Sequence, residues 1–294
     1  MEGKHIDKMT PVVVWASRLS VIATGLAVPL LNNALRQMSS LTGISSTVGI
    51  WLLWSIALLC TLVPSSSALT AIRLALPTIF VIVAAAAVAI GISSGVAAAL
   101  AISLLASLLI FSGDIGDSFV QLAAYGDERR YLLRCPPAML LVQVLSWLVW
   151  LTLTIVAINL LASDALILGA IVAIAALLLA IVLPRRFHRF SRRWLVSVPP
   201  GLVIHDHVVL AETAMFMNNA VIEVGIDLAP SEAADLSGKC SGVGLLIALK
   251  DFDTVVLAAT PKTPGGSAIH VKSMRVCPTR PGRAITELTS APSA

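Results

Sequence analysis

From its first residues to about position 183 the chain is apolar in long runs, and from about 195 onward apolar and polar residues alternate in short ones. The long runs fall at about 12–35, 45–63, 68–92, 96–111, 138–161 and 165–183. A hydrocarbon core about 30 Å thick is crossed by about 20 helical residues, so these stretches predict six transmembrane helices. The first is the weakest, because Arg18 and Pro29 lie inside it and the cation has to snorkel to the near interface. Pro64-Ser-Ser-Ser ends the second. Arg73 and Pro77 sit near the start of the third, where a kink is tolerated. Ser93-Ser94-Gly95 makes a tight turn into the short fourth span, which predicts an antiparallel pair. Ala84 to Ala87, Ala97 to Ala99, Ser103 and Ser107 would let the two backbones approach closely. Gln143 and Asn159 lie far apart on the fifth span and are expected as interhelical hydrogen-bond partners.

The alternating part reads as strands at about 195–198, 202–210, 214–217, 221–226, 243–250, 254–258 and 268–276. Turn residues punctuate them: Pro199-Pro-Gly, Asn218-Asn, Pro230-Ser-Glu, Ser237-Gly-Lys, Lys250-Asp-Phe-Asp and residues 261–266. About seven strands of this spacing predict a small all-β domain, barrel or sandwich. A short C-terminal helix follows, with Ala284, Ile285 and Leu288 on one face. The chain therefore divides into a helical membrane domain over 1–184, a polybasic hinge over 185–194 and a β domain over 195–294.

Composition agrees with that division: 57% of residues are hydrophobic and 12% charged, against about a quarter charged in soluble proteins. The net charge of +4 carries topological information and gives no sign of a nucleic-acid partner. With six spans, one side of the membrane receives Lys4, Lys8, Arg18, Arg73, Arg129, Arg130, Arg134 and all five arginines of residues 185–193, while the other receives Arg36. Basic residues accumulate on the cytoplasmic side, so the β domain is expected in the cytoplasm and the protein in the inner, cytoplasmic membrane. Glu2, Lys4, Asp7 and Lys8 precede a long apolar stretch, so a cleaved signal peptide is not expected.

Candidate chemistry is sparse. The four cysteines show no zinc spacing and are expected as free thiols. Asp114 and Asp117 would share a helix face and, with Arg129 and Arg130, form a possible polar loop site. The plainer expectation is a helix start whose acids complement the dipole. No Asp, Glu or His lies deep in spans two to six, which argues against a proton- or sodium-coupled transporter. His205 and His207 share a strand face, but a metal would need a third ligand such as His270, so no metal is expected. Residues 237–244, Ser-Gly-Lys-Cys-Ser-Gly-Val-Gly, look like a phosphate loop. Ala233 and Cys240 break that pattern, and a hairpin turn is expected instead. No catalytic motif or cofactor fingerprint occurs.

Arg192-Arg-Trp-Leu-Val-Ser-Val, Gly201-Leu-Val-Ile, Ala220-Val-Ile-Glu-Val and Thr279-Arg-Pro-Gly-Arg-Ala together resemble bacterial PH-like domains. The resemblance implies a seven-stranded bent barrel closed by a C-terminal helix. The whole chain also resembles actinobacterial multi-span membrane proteins in which a Tyr-Gly-Asp-Glu-Arg-Arg loop, here residues 125–130, recurs. Six spans are more than a PH-like membrane protein usually carries, and no phosphoinositide pocket of the eukaryotic kind is present. The expected function is non-enzymatic, with the β domain binding a partner protein or the anionic membrane surface. Arg185, Arg186, Arg189, Arg192, Arg193 and Trp194 are the expected contact residues. The alternative is a small-solute permease or channel with a cytoplasmic regulatory domain.

Overall fold

The computed structural model describes residues 9–31, 35–37, 40–227, 232–260 and 263–290. Lys4, Lys8, residues 32–34 of the first apolar run, and parts of the turns at 230 and 261 lie outside them. The chain forms two compact units, one of Met1–Phe119 with Gln143–Phe187 and the other of Val120–Val142 with His188–Ala294.

The first unit is helical. Its elements are α1 (Met9–Ala27) with a 3-10 turn at Val28–Leu31, α2 (Ser40–Leu62), α3 (Ser66–Ile90) and α4 (Ser94–Ile110). They are followed by α5 (Gly113–Gln121), α6 (Pro137–Ala162) and α7 (Leu166–His188). Caps set the boundaries: Ser65 and Ser93 accept hydrogen bonds from the N–H groups of Ala68 and Val96, which satisfies donors that a helix start leaves open. Gly91, at φ +87°, ends α3, a backbone conformation that favours glycine. Among the described residues, five helices are long and apolar enough to cross a bilayer, and α4 with α5 makes a sixth only as a pair bent by 58°. The 17 residues of α4 reach about 26 Å, which is why the fourth run falls short alone.

Helix α4 packs against α1 and α3, and α2 packs against α3. Of the small-residue pattern, Ala86, Ala87, Ala99, Ser103 and Ser107 are buried there, together with Ala106, whereas Ala85 and Ala97 are exposed. Trp54 donates its indole N–H to the Val21 carbonyl at 2.8 Å, and Trp147 donates to the Thr78 hydroxyl at 3.2 Å. The buried hydroxyls of Ser20, Thr24, Thr78, Ser103 and Ser107 bond to carbonyls of their own helices. Asn159 does the same, donating to Ile155 at 2.8 Å. It was expected to bridge helices, but a carbonyl one turn back satisfies its amide without a partner helix.

The second unit is β, and it begins earlier than the alternation in the sequence indicates. Its first strand, β1 (Arg129–Leu132), comes from the polar loop between α5 and α6. The others are β2 (Trp194–Val198), β3 (Gly201–His205), β4 (Ala214–Met217), β5 (Val221–Asp227), β6 (Ala234–Asp235), β7 (Gly244–Leu257) and β8 (Ser267–Val276). Helix α8 (Pro281–Ser290) closes the chain. One sheet is an antiparallel meander, β1-β2-β3-β4; the other runs β5-β7-β8-β6, with β6 parallel to β8. The stretches expected as separate strands at 243–250 and 254–258 are one strand, β7. The turn placed at Lys250-Asp-Phe-Asp is an irregularity in its pairing with β8, between Ala248 and Asp253. Over 185–194, α7 runs to His188, a 3-10 turn covers Arg189–Arg192, and β2 starts at Trp194.

Both sheets face one core. Tyr131, Leu195, Ile204 and Phe216 come from the first, Leu245, Ile247, Val271 and Met274 from the second, and Ala284, Ile285 and Leu288 of α8 cover it. Gly201 is required sterically, since a Cβ there would lie 2.1 Å from the Phe216 carbonyl oxygen. Strand β1 is built into this core. Tyr131 is 3% exposed, and its hydroxyl hydrogen-bonds Glu287 of α8 at 3.0 Å. The Gln121 side chain closes the outer edge of β1, accepting from the Arg130 N–H at 2.8 Å and donating to the Glu128 carbonyl at 3.1 Å. Closing an edge in this way removes a template for stray pairing.

A fragment of residues 188–294 therefore lacks a core strand. It is expected to unfold without a cooperative transition and to bind a hydrophobic dye. The same fragment preceded by residues 120–136 on a flexible linker should melt cooperatively. Circular dichroism melts of the two fragments check this, and equal cooperativity would remove β1 from the folding unit.

Candidate functional site

The polybasic segment contains two kinds of arginine. Arg185, Arg186, Arg189 and Arg192 are exposed. Arg193, expected beside them as a contact residue, is 0% exposed, and Trp194 is 8% exposed. The sequence expectation fails at these two positions because Arg193 has an acid to turn toward. Its Nε and Nη2 donate to Asp206 Oδ1 and Oδ2 at 2.8 and 2.7 Å. Nη1 donates to the Arg134 carbonyl and Nη2 also reaches the Ser237 carbonyl at 3.4 Å. Asp206 accepts in addition from the Val208 N–H at 3.0 Å. A planar guanidinium is suited to such a fork, and the pair needs every one of these bonds to offset its desolvation.

A second cluster lies next to it. Arg275 pairs with Asp227 at 2.7 Å and donates to the carbonyls of Cys240 and Gly242 at 2.9 and 2.6 Å. The loop that looks like a phosphate cradle is already filled by its own chain. Asp235 accepts from the N–H of Ser237 at 2.9 Å and from that of Lys239 at 3.0 Å. Gly238 and Lys239 take positive φ, 72° and 64°, which turns successive N–H groups toward one point. A carboxylate, not a ligand phosphate, sits there. Cys240 is 5% exposed, and burial pushes its thiol above the ordinary range, so it is a poor nucleophile.

The third feature is a stack on the meander sheet. The Arg130 guanidinium carbon lies 4.7 Å from the Trp194 ring centroid. Trp194 is 5.5 Å from the His205 ring, and His205 is 4.3 Å from the edge-on His207 ring. His205 Nδ1 lies 3.1 Å from the Thr213 hydroxyl, and its Nε2 is buried without a hydrogen-bond partner. Burial first, then the His207 ring and the Arg192 guanidinium, lower the His205 pKa to about 4.

The remaining sequence candidates are distributed as follows. Asp114 and Asp117 lie on α5, within the helical unit, where Asp117 is 4% exposed and both have interacting partners. Arg129 is exposed on β1, and Arg130 pairs with Glu128 at 2.5 Å. The two arginines thus belong to the β unit and the two acids to the helical unit. His270 bonds Thr254 on the other sheet, and no group of three metal-ligating side chains occurs among the described residues. Sequence reasoning missed Asp206. Its signal was a lone acid at the end of an alternating strand, on the core side of its two histidine neighbours.

Comparison of the chain with protein-family models, with curated proteins and with solved structures finds no match in any of the three.

Two outcomes follow from this geometry. Arg193→Ala is expected to destabilise the linked β unit by about 3–5 kcal/mol, because it leaves Asp206 buried and unpaired. Arg189→Ala, at an exposed position of the same unit, should change stability by less than about 1 kcal/mol. Urea melts of both variants check the contrast. For His205 the folded state binds fewer protons than the unfolded chain between about pH 4 and pH 6.5. Stability should therefore fall as pH drops through that window. Comparison with His205→Gln isolates the contribution, and a ring titration by NMR should place the midpoint near 4.

Proposed function

We propose that the chain is a non-enzymatic, multi-pass protein of the cytoplasmic membrane whose cytoplasmic β unit is held against anionic headgroups, in a scaffold or accessory role toward a partner protein. One observation carries this reading. Arg185, Arg186, Arg189 and Arg192 are all exposed in the last turn of α7 and the 3-10 turn after it, at the end of the candidate span with the highest mean hydropathy among the described residues. Anionic lipid attracts each such residue by about 1 kcal/mol.

Two further facts support the membrane part. Only 17% of the apolar window of α7 and 11% of that of α6 is buried. Leu141, Leu145, Ile167, Ile171, Ile174 and Leu178 of these helices are exposed. Apolar surface of that extent is costly in water and ordinary in lipid. The PH-like resemblance draws support from the pair of four-stranded sheets around one core and the C-terminal helix that covers it. It departs from the implied seven strands by including β1 from the loop. A permease reading has less behind it, since the buried hydroxyls of α1, α3 and α4 bond within their own helices and make no polar file for a solute.

The full-length protein, purified in a maltoside detergent, should retain phosphatidylglycerol or cardiolipin in native mass spectrometry. Arg185→Gln, Arg186→Gln and Arg189→Gln together should reduce that retention severalfold and leave zwitterionic lipid unaffected. Equal retention of anionic lipid by the triple variant would overturn the headgroup part of the proposal.

A further inference from the structure

Strand alternation sends Tyr131, Leu195 and Ile204 into the core of the β unit and so puts Arg130, Trp194 and His205 together on the opposite face. Trp194 and His205 are direct partners in the β2–β3 register. The result is the row of Arg130, Trp194, His205 and His207 already described, with Arg192 two residues before Trp194. Two imidazoles side by side invite a metal, but the neighbourhood argues otherwise. The other charged groups that influence His205 are mostly cations, Arg192 and Arg130. The adjoining acids are already engaged. Asp206 faces the core and holds Arg193, and Glu128 is bonded to Arg130 at 2.5 Å and to the Tyr125 N–H at 2.6 Å. What this face lacks is an acceptor.

His205 shows the lack most directly. In the tautomer whose Nδ1 accepts from the Thr213 hydroxyl, Nε2 carries the ring proton and is a donor. That donor has no partner, in a protein where nearly every buried polar group has one, and an absent ligand is among the few explanations for such a group. We infer that Arg130, Arg192, His205 and His207 form a binding site for a phosphate group, of a phospholipid headgroup or of a free phosphate, seated beside the Trp194 ring. The His207 ring, exposed and edge-on to His205, is the group that moves to admit it. Arginine guanidinium and imidazole N–H are the donors that match phosphate oxygens in number and geometry. The phospholipid source rests on the membrane reading above, because Arg192 lies four residues beyond the end of α7 at His188. The free-phosphate source does not rest on it.

The test uses the full-length protein in maltoside with ring-15N-labelled histidine, assigned by comparison with His205→Gln. Inorganic phosphate and dihexanoyl phosphatidylglycerol are titrated separately at constant ionic strength, against chloride. A saturable shift of the His205 Nε2 signal with either probe, and none with chloride, is expected. Response to phosphate marks a soluble ligand, and response to the short-chain lipid alone marks a headgroup; both support the site. Arg192→Gln, at an exposed position that leaves the core untouched, should weaken binding about tenfold or more, the loss of one charge-assisted hydrogen bond. No saturable shift with either probe, or the same affinity in Arg192→Gln, overturns the inference. Lipid retention that depends on Arg185, Arg186 and Arg189 while the His205 signal stays still would separate failure of this site from failure of the headgroup reading.

Discussion

A buried guanidinium has five donors to place, and in the β unit the placing of those on Arg193 decides how several chain segments meet. Asp206 at the end of β3 takes two of them. The carbonyls of Arg134 and Ser237 take others, from the loop after β1 and the loop after β6. The Arg193 carbonyl in turn accepts from the Leu133 N–H at 2.9 Å. One residue thus ties the start of β2 to three places distant in sequence. The desolvation of such a pair is offset only while all of these partners are present, so the arrangement is cooperative by construction.

Arg134 is the partner that matters most for the organisation of the chain. It lies in the loop between α5 and α6, and that loop supplies β1. The β unit is entered at Val120, left at Val142 and entered again at His188. Pairing of Leu133 with Pro278 and of the Arg134 N–H with the Cys277 carbonyl at 2.8 Å extends the seam beyond β1 itself. The contact between Tyr131 and Glu287 then carries it to the C-terminal helix. Burial and the neighbouring carboxylate both raise the Tyr131 pKa, so the phenol stays neutral and remains the donor of that bond.

Most of the helices were legible because an apolar run longer than about 18 residues has few alternative structures; the fourth run is shorter, and its 17-residue helix reaches span length only together with α5. Strands β2, β4, β5, β8 and the apolar face of α8 were legible from period and turn residues, whereas the strand expected over 202–210 ends at His205 and His207 lies in the turn after it. Strand β1 was not. Arg129-Arg-Tyr-Leu has too few residues to display a period of two, and its two charges look solvated until β2 pairs with them. The break placed in β7 failed for a related reason. Lys250-Asp-Phe-Asp has the composition of a turn, but a bulge also accepts polar residues, because the irregular stretch of a long strand is exposed. The occupant of the loop at 237–244, the Asp235 carboxylate, was not visible in its spacing.

Arg193 shows most clearly where sequence reading stops. Residues 185–193 contain five arginines after one long apolar run, and nothing local separates the last from the first four. What separates them is Asp206, brought opposite by the β2–β3 hairpin, whose register pairs Trp194 with His205 and so sets Arg193 beside the residue that follows His205. The energies then diverge. An exposed arginine near anionic lipid contributes about 1 kcal/mol and is one of several equivalent charges, whereas removing one partner of a buried pair costs about 3–5 kcal/mol. The chemistry demanded of the side chain diverges as well. A lysine ammonium serves a headgroup nearly as well as a guanidinium does. It cannot present the planar fork that two carboxylate oxygens and two carbonyls require at position 193. The segment is therefore four exposed charges followed by one buried ion pair, and the boundary between them is drawn by a tertiary contact.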